Sequence, residues 1–313
     1  MYKHLMKIST RNMSHEEWLS HRQKSIGGSD ASAIIGLNPY SSPYTVWADK
    51  LGRIPPKEDN EAMRLGRDLE DYVAKRFTEA TGKKVRRENN IIFNPDYPFA
   101  HANVDRMIVG EDAGLECKTT SVLNLKKFKN GEYPATYYVQ CVHYMMVTGA
   151  KRWYLGVLIL GQGFKKFTIE RDEDEIKALA KSEADFWELV KKQTPPMADG
   201  TDSTTNTIST IYAESVDSSV SLFAYESSLK QYLEIGKQIK DLENMQKQIA
   251  NGIKTFMGNS DKGESNSYKV SWASASKSIF DHKKFAEDHR NMDLSKYYKQ
   301  SSYRTFKVSE IKN

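Results

Sequence analysis

Residues 101–120 read HANVDRMIVGEDAGLECKTT, and this stretch decides how the rest of the chain is read. Strand-forming residues lie on both sides of a glycine-bounded turn, Gly110 to Gly114, which predicts an antiparallel hairpin. Side chains two apart on a strand point the same way, so Glu116 and Lys118 share one face while Cys117 turns into the core. Pairing across the turn brings Asp105 beside Glu116.

Two carboxylates at that separation repel each other, and a divalent cation is the usual remedy. Mg²⁺ takes oxygen ligands and keeps some of its water, so two carboxylates, a backbone carbonyl and a phosphate oxygen would complete a site. A neighbouring lysine can orient or deprotonate the attacking water and offset charge in the transition state. Against this stands the plainer reading of Glu116 and Lys118 as a surface ion pair, which an isolated E-x-K triplet usually is.

Outward from the hairpin, helical patterns alternate with short β-rich runs from Ser14 to about Pro195. SPYTVWADKLG predicts a helix ending at Gly52, and NEAMRLGRDLEDYVAKRFTEATG a longer one closed by Gly82. KVRRENNIIFN and FAHANVDRMIVG read as strands, and PATYYVQCVHYMMVTG as a helix between Pro134 and Gly149. RWYLGVLILG and FKKFTIE predict a hairpin across Gly161–Gly163, followed by the amphipathic helix DEDEIKALAKSEADFWELVKKQ. The domains expected are therefore 1–196, an exposed Ser/Thr/Asp-rich linker at 197–215, and 216–313. In the last, Ile235, Ile239, Leu242, Ile249, Ile253 and Phe256 form a coiled-coil-like seam with Gln246 in its one gap, on a helix stopping at Gly258. A small α/β unit follows, with a helix near Asp281–His289 and a closing strand at Tyr303–Val308.

The 313 residues are 39% hydrophobic and 28% charged, enough for one packed core and a smaller second unit. No apolar run reaches the roughly 18 residues a membrane span needs, and the N-terminus lacks a secretion signal, so a cytoplasmic location is expected. Two cysteines, Cys117 and Cys141, exclude a disulfide framework and a four-cysteine metal site within one chain. A net charge of +5 is compatible with a polyanionic partner. Lys83, Lys84, Arg86, Arg87, Lys126, Lys127 and Lys129 cluster near the hairpin with Phe128 and Tyr133 interleaved, a composition that suits a DNA backbone or a merely solvated face.

The order Glu70, Asp105, Glu116-Cys117-Lys118, Gln140-x-x-x-Tyr144 resembles the PD-(D/E)xK nuclease superfamily. More closely, RQKSIGGSDASAIIGLNPYSSPYTVWADKLG with RLGRDLEDYVAKRF resembles the YqaJ-type viral recombinases, relatives of the phage lambda-type exonucleases; the likeness runs from about Trp18 to Pro195. It implies an α/β (α+β) fold with a restriction-endonuclease-like core, a central mixed sheet flanked by helices. It also implies a Mg²⁺ site, with Mn²⁺ as a substitute, built from Asp105, Glu116 and the Cys117 carbonyl. Glu70 would serve a second metal or its water, and Lys118 and Gln140 would complete the catalytic set. Val104 stands where the superfamily has proline, and Cys117 where the middle of E-x-K is more often aliphatic.

The same resemblance assigns the DNA 5′-phosphate to Arg22 and Ser29, with Ser32, Gln140 and Tyr144 as further DNA contacts. In SIGGSDAS two glycines free the backbone, and Ser29, Asp30 and Ser32 are placed to cap a helix DASAIIG; a plain turn and cap without a ligand is the alternative. His101 is read as a packing or hydrogen-bonding residue, and His143 is left outside the site. The implied activity is degradation of the 5′-ended strand of duplex DNA, leaving 3′ tails for recombination in a bacterial host. The implied partners are duplex ends, a single-strand annealing protein and further copies of the chain, a trimer among the options. An endonuclease, or a silent end-binding module, is the rival reading.

Overall fold

The computed structural model describes residues 4–289, 292–299 and 302–311. The chain divides into two units, one ending at Tyr212 and one beginning at Ala213. The first contains, in order, β1 (Met6–Ser9), α1 (His15–Gln23), α2 (Gly28–Ile34), α3 (Pro43–Lys50), α4 (Glu61–Thr81), β2 (Val85–Arg87), β3 (Asn90–Phe93), β4 (His101–Asn103) and β5 (Arg106–Ile108). It continues with β6 (Ala113–Thr120), α5 (Ala135–Thr148), β7 (Arg152–Ile159), β8 (Gly163–Glu170), α6 (Glu173–Lys191) and α7 (Asp202–Ile211).

Helix ends follow local chemistry. Ser14 and Glu17 close a reciprocal capping box on α1, and Asn60 caps α4 through the Met63 N–H. α4 and α5 stop at Gly82 and Gly149, both at φ 71°, a left-handed conformation that glycine adopts without a Cβ clash.

Five strands form the central sheet in the order β2-β5-β6-β7-β8; β6 and β7 run parallel and every other pair antiparallel. The sheet is therefore mixed, with β6 in the middle. On one face α4 packs Ala74 and Phe77 against Leu115 and Tyr154. On the other, α5 packs Val139, Val142 and Met146 into a core with Leu155 and Val157. A second sheet, β1-β3-β4, lies within the same unit, and residues Ile26 and Ala100 bridge in parallel beside it.

Several expectations change. FAHANVDRMIVG is two strands in two sheets, because the chain leaves β4 after Asn103 and enters β5 at Arg106, which puts Asp105 at the break. KVRRENNIIFN likewise splits into β2 and β3. Within 197–215, residues 202–211 are the helix α7 and not exposed linker. Thr204 and Thr207 are buried, Thr204 Oγ1 lies 2.7 Å from Ser42 Oγ, and Thr207 Oγ1 lies 2.8 Å from Thr45 Oγ1. This hydroxyl pairing docks α7 together with Ile208 and Ile211, which pack on the cluster around Trp47 and Phe186.

The second unit holds α8 (Glu226–Met257), β9 (Lys262–Glu264), β10 (Lys269–Ser271) and α9 (His282–Asp288). α8 ends at Gly258 as expected, and its seam residues from Ile235 to Phe256 are exposed on the single chain. Tyr303–Val308 forms no strand among the described residues. No helix among them is long and apolar enough to cross a membrane.

Gly114 makes the hairpin possible at close quarters, since a Cβ there would lie 2.3 Å from the Trp153 indole. Gly114→Ala should therefore lower stability by about 1–3 kcal/mol through overpacking, read as a lower denaturation midpoint with an unchanged m-value.

Candidate active site

The β5–β6 register pairs Arg106 with Leu115, so Asp105 falls opposite Glu116. The Cys117 N–H donates to Asp105 Oδ2 at 2.8 Å. A strand residue sends its N–H and C=O to the same edge, so the Cys117 carbonyl also points toward the side where β5 has ended.

Glu116 is 3% exposed and Lys118 lies beside it, Nζ to Oε1 2.6 Å. Lys118 Nζ also donates to Gln140 Oε1 at 2.9 Å, and Gln140 Nε2 donates to the Tyr144 hydroxyl at 2.8 Å. The Tyr137 ring centroid is 5.2 Å from the same ammonium. Burial works against the charge on Lys118, but Glu116 and Asp105 outweigh it and hold the ammonium well above the usual lysine range. The E-x-K pair is thus a buried network tied to α5, which excludes the surface ion pair.

Asp105 is strained electrostatically. Burial, then the negative charges of Glu116 and Glu70, push its carboxyl well above the usual aspartate range. Glu116 Oε2 is buried without a hydrogen-bond partner. Oxygen donors, mutual repulsion and an orphaned carboxylate oxygen together fit a hard divalent cation held by Asp105, Glu116 and the Cys117 carbonyl.

Glu70 stands apart from that set. Its carboxylate pairs with the Arg106 guanidinium, which also donates to the Asp105 carbonyl at 2.7 Å and meets Asp71 at 2.6 Å. Among the described residues no three His, Cys, Asp or Glu side chains converge into a metal cage. Arg106 is the residue the sequence reading missed; it directly follows Asp105 and is buried, as a lone arginine in a short apolar strand would suggest.

The other predicted cluster lies on α1 and α2. Arg22 Nη2 donates to Ser29 Oγ at 2.8 Å, and the guanidinium sits 4.7 Å from the Trp18 ring centroid. Ser32, one turn after Ser29 on α2, is buried with its Oγ 3.5 Å from Asn38 Nδ2. The capping expectation is corrected: α2 begins at Gly28, and Asp30 returns its carboxylate to the Gly27 N–H at 3.0 Å, so neither Ser29 nor Ser32 caps it. α2 meets α5 closely at Gly28, where a Cβ would lie 2.7 Å from Tyr144 and 3.2 Å from Gln140. Tyr144 and Gln140 thereby link the two clusters.

Phe128 is fully buried and so is not displayed for bases, and Tyr133 is half-buried against Phe167. Lys83, Arg86 and Arg87 pair with Glu111, Glu88 and Asp71, whereas Lys126, Lys127 and Lys129 are exposed. His143 bonds Glu183 and the His101 carbonyl, each at 2.8 Å, deep in the core. His101 Nδ1 lies 2.8 Å from Ser25 Oγ.

A family model for the YqaJ-like viral recombinase domain matches residues 17–151. A relative named uncharacterized protein YqaJ, from Bacillus subtilis (strain 168), is 40% identical over 305 residues, covering 96% of this chain and 95% of its own. The chain belongs to the YqaJ-like viral recombinase family. YqaJ-like identity extends through both units, because the B. subtilis alignment spans nearly the whole length. The crystal structure of an alkaline exonuclease, LHK-Exo from Laribacter hongkongensis, matches with TM-score 0.50 at 20% identity, covering 57% of this chain and 94% of that one. A structure of LHK-Exo in complex with dAMP matches equally well. Over that 57% of its length this YqaJ-like chain accordingly shares the fold of the alkaline exonuclease.

Burial, with the Lys50 cation adding to it, pushes the His101 imidazole down to about 3. Its contribution to stability is present above the ordinary histidine value and is lost as pH falls from there toward 3, because only the unfolded chain takes up the proton. Between pH 7 and 5 the wild type should lose about 2 kcal/mol more than His101→Gln, measured by urea unfolding at both pH values.

Proposed function

We propose that the protein is a Mg²⁺-dependent DNA exonuclease that degrades the 5′-ended strand of duplex DNA and leaves 3′ single-stranded tails for recombination. The observation that carries this is the buried Asp105–Glu116–Lys118 constellation with an unsatisfied Glu116 oxygen, set in a YqaJ-like chain with the fold of an alkaline exonuclease.

Asp105, Glu116 and the Cys117 carbonyl would hold the cation, which when bound supplies Lewis-acid polarisation of the phosphoryl oxygen. Lys118, fixed between Glu116 and Gln140, aims its remaining donor capacity at the attacking water and offsets charge developing on phosphorus. Gln140 holds Lys118, and Tyr144 holds Gln140. Glu70, through Arg106, steadies the Asp105 main chain and would reach a second cation only by leaving that pair.

Arg22 and Ser29 grip the terminal 5′-phosphate. A site that binds the end while the acidic pair cuts beside it ties strand polarity to geometry. Exposed Lys126, Lys127 and Lys129 suit contact with the DNA backbone. A single-strand annealing protein is the partner this activity calls for, and the exposed α8 seam suits a homo-oligomer.

The deciding assay uses full-length protein with Mg²⁺ on linear duplex labelled at one 3′ end, beside a covalently closed circle. Progressive shortening that needs an end is expected, with Lys118→Ala slower by about 10²-fold or more. Cleavage of the circle would assign an endonuclease instead, and binding without turnover a silent end-binding module.

A further inference from the structure

Lys50 is a charged residue that neither the acidic site nor the Arg22–Ser29 pair accounts for. Its side chain is fully buried, at 0% exposure, at the end of α3. Lysine is rarely buried without a specific partner, so its two contacts are informative. Nζ donates to Asp30 Oδ2 at 2.6 Å and to the Arg22 main-chain carbonyl at 2.8 Å.

Asp30 thus stands between two cations. Its other oxygen lies 3.8 Å from Arg22 Nη2, beyond hydrogen-bonding range, while that same nitrogen donates to Ser29 Oγ at 2.8 Å. Lys50 is wholly buried and bonded to Asp30, whereas the Arg22 guanidinium makes no hydrogen bond to that carboxylate and its side chain is 29% exposed. The half-buried Asp49 carboxylate also acts on both cations. Without Lys50, the neighbouring guanidinium is the natural partner for Asp30, and a two-bonded arginine–carboxylate pair would turn Arg22 inward and cancel its charge. The bond from Lys50 to the Arg22 carbonyl additionally fixes the end of α1 that carries the arginine.

We propose that Lys50, by occupying Asp30, is the positioning residue that keeps the Arg22 guanidinium available to a terminal 5′-phosphate. The proposal rests on the reading of Arg22 and Ser29 as a phosphate grip. It makes Lys50 a determinant of end preference that never touches DNA.

The test measures kcat/KM of the full chain with Mg²⁺ on linear duplexes bearing a 5′-phosphate or a 5′-hydroxyl, and takes their ratio. Both ends are compared on one preparation, so a reduced folded fraction cancels. Lys50→Met is expected to lower the wild-type ratio about tenfold, mainly through KM on phosphorylated ends. The double variant Asp30→Asn/Lys50→Met, which removes the competing carboxylate as well, should return to within about threefold of the wild-type ratio. If Lys50→Met slows both substrates equally and leaves the ratio intact, Lys50 is merely structural. A double variant as low as the single one also overturns the proposal. A wild-type ratio of one removes the phosphate grip itself, an outcome distinct from a preserved grip that ignores Lys50.

Discussion

The structure turns on one unfavourable contact. A tight hairpin sets two carboxylates, Asp105 and Glu116, side by side in a buried region, where each raises the energy of the other. The fold tolerates this because the pair is surrounded by compensation: the Cys117 N–H on Asp105, the Lys118 ammonium on Glu116, and Arg106 drawing off Glu70. It does not compensate fully, since Glu116 Oε2 is left without a donor. That shortfall of positive charge is what a cation and a lysine-oriented water would use, and the same arrangement in a fully satisfied site would have nothing left to offer.

Rigid support follows from the same requirement. β6 is the middle strand of five, with partners on both edges and helices on both faces, so the acidic pair rests on the least mobile part of the sheet. Lys118 is held from α5 through Gln140 and Tyr144, and α5 is in turn pressed against α2 where only glycine at position 28 fits. The Lys118–Gln140–Tyr144 network and the Arg22–Ser29 cluster are therefore joined through one closely packed helix contact.

Local signals in the sequence carried much of this. Gly110 and Gly114 announced the hairpin, the two-residue period put Glu116 and Lys118 on one face, and Gly82, Gly149 and Gly258 marked helix ends that the structure places there. What escaped was non-local. The Ser/Thr-rich α7 reads as linker because much of its docking, beside Ile208 and Ile211, uses the hydroxyls of Ser42 and Thr45, about 160 residues away in sequence. Phe128 looks displayed among lysines until a short 3₁₀ turn folds it into the core. The roles of Lys50 and Arg106 are set by carboxylates on other elements, which no periodicity within α3 or β5 reveals. The expected strand at Tyr303–Val308 had alternation but finds no pairing partner among the described residues.

The most direct test of the charge deficit is the thermal midpoint of wild type and Asp105→Asn, measured in chelator and then in Mg²⁺. Asparagine keeps an acceptor for the Cys117 N–H while removing the repulsion. The variant should melt higher than wild type in chelator, and Mg²⁺ should raise the wild type alone and close the gap. A variant that melts lower in chelator, with Mg²⁺ shifting both proteins equally, would contradict the account.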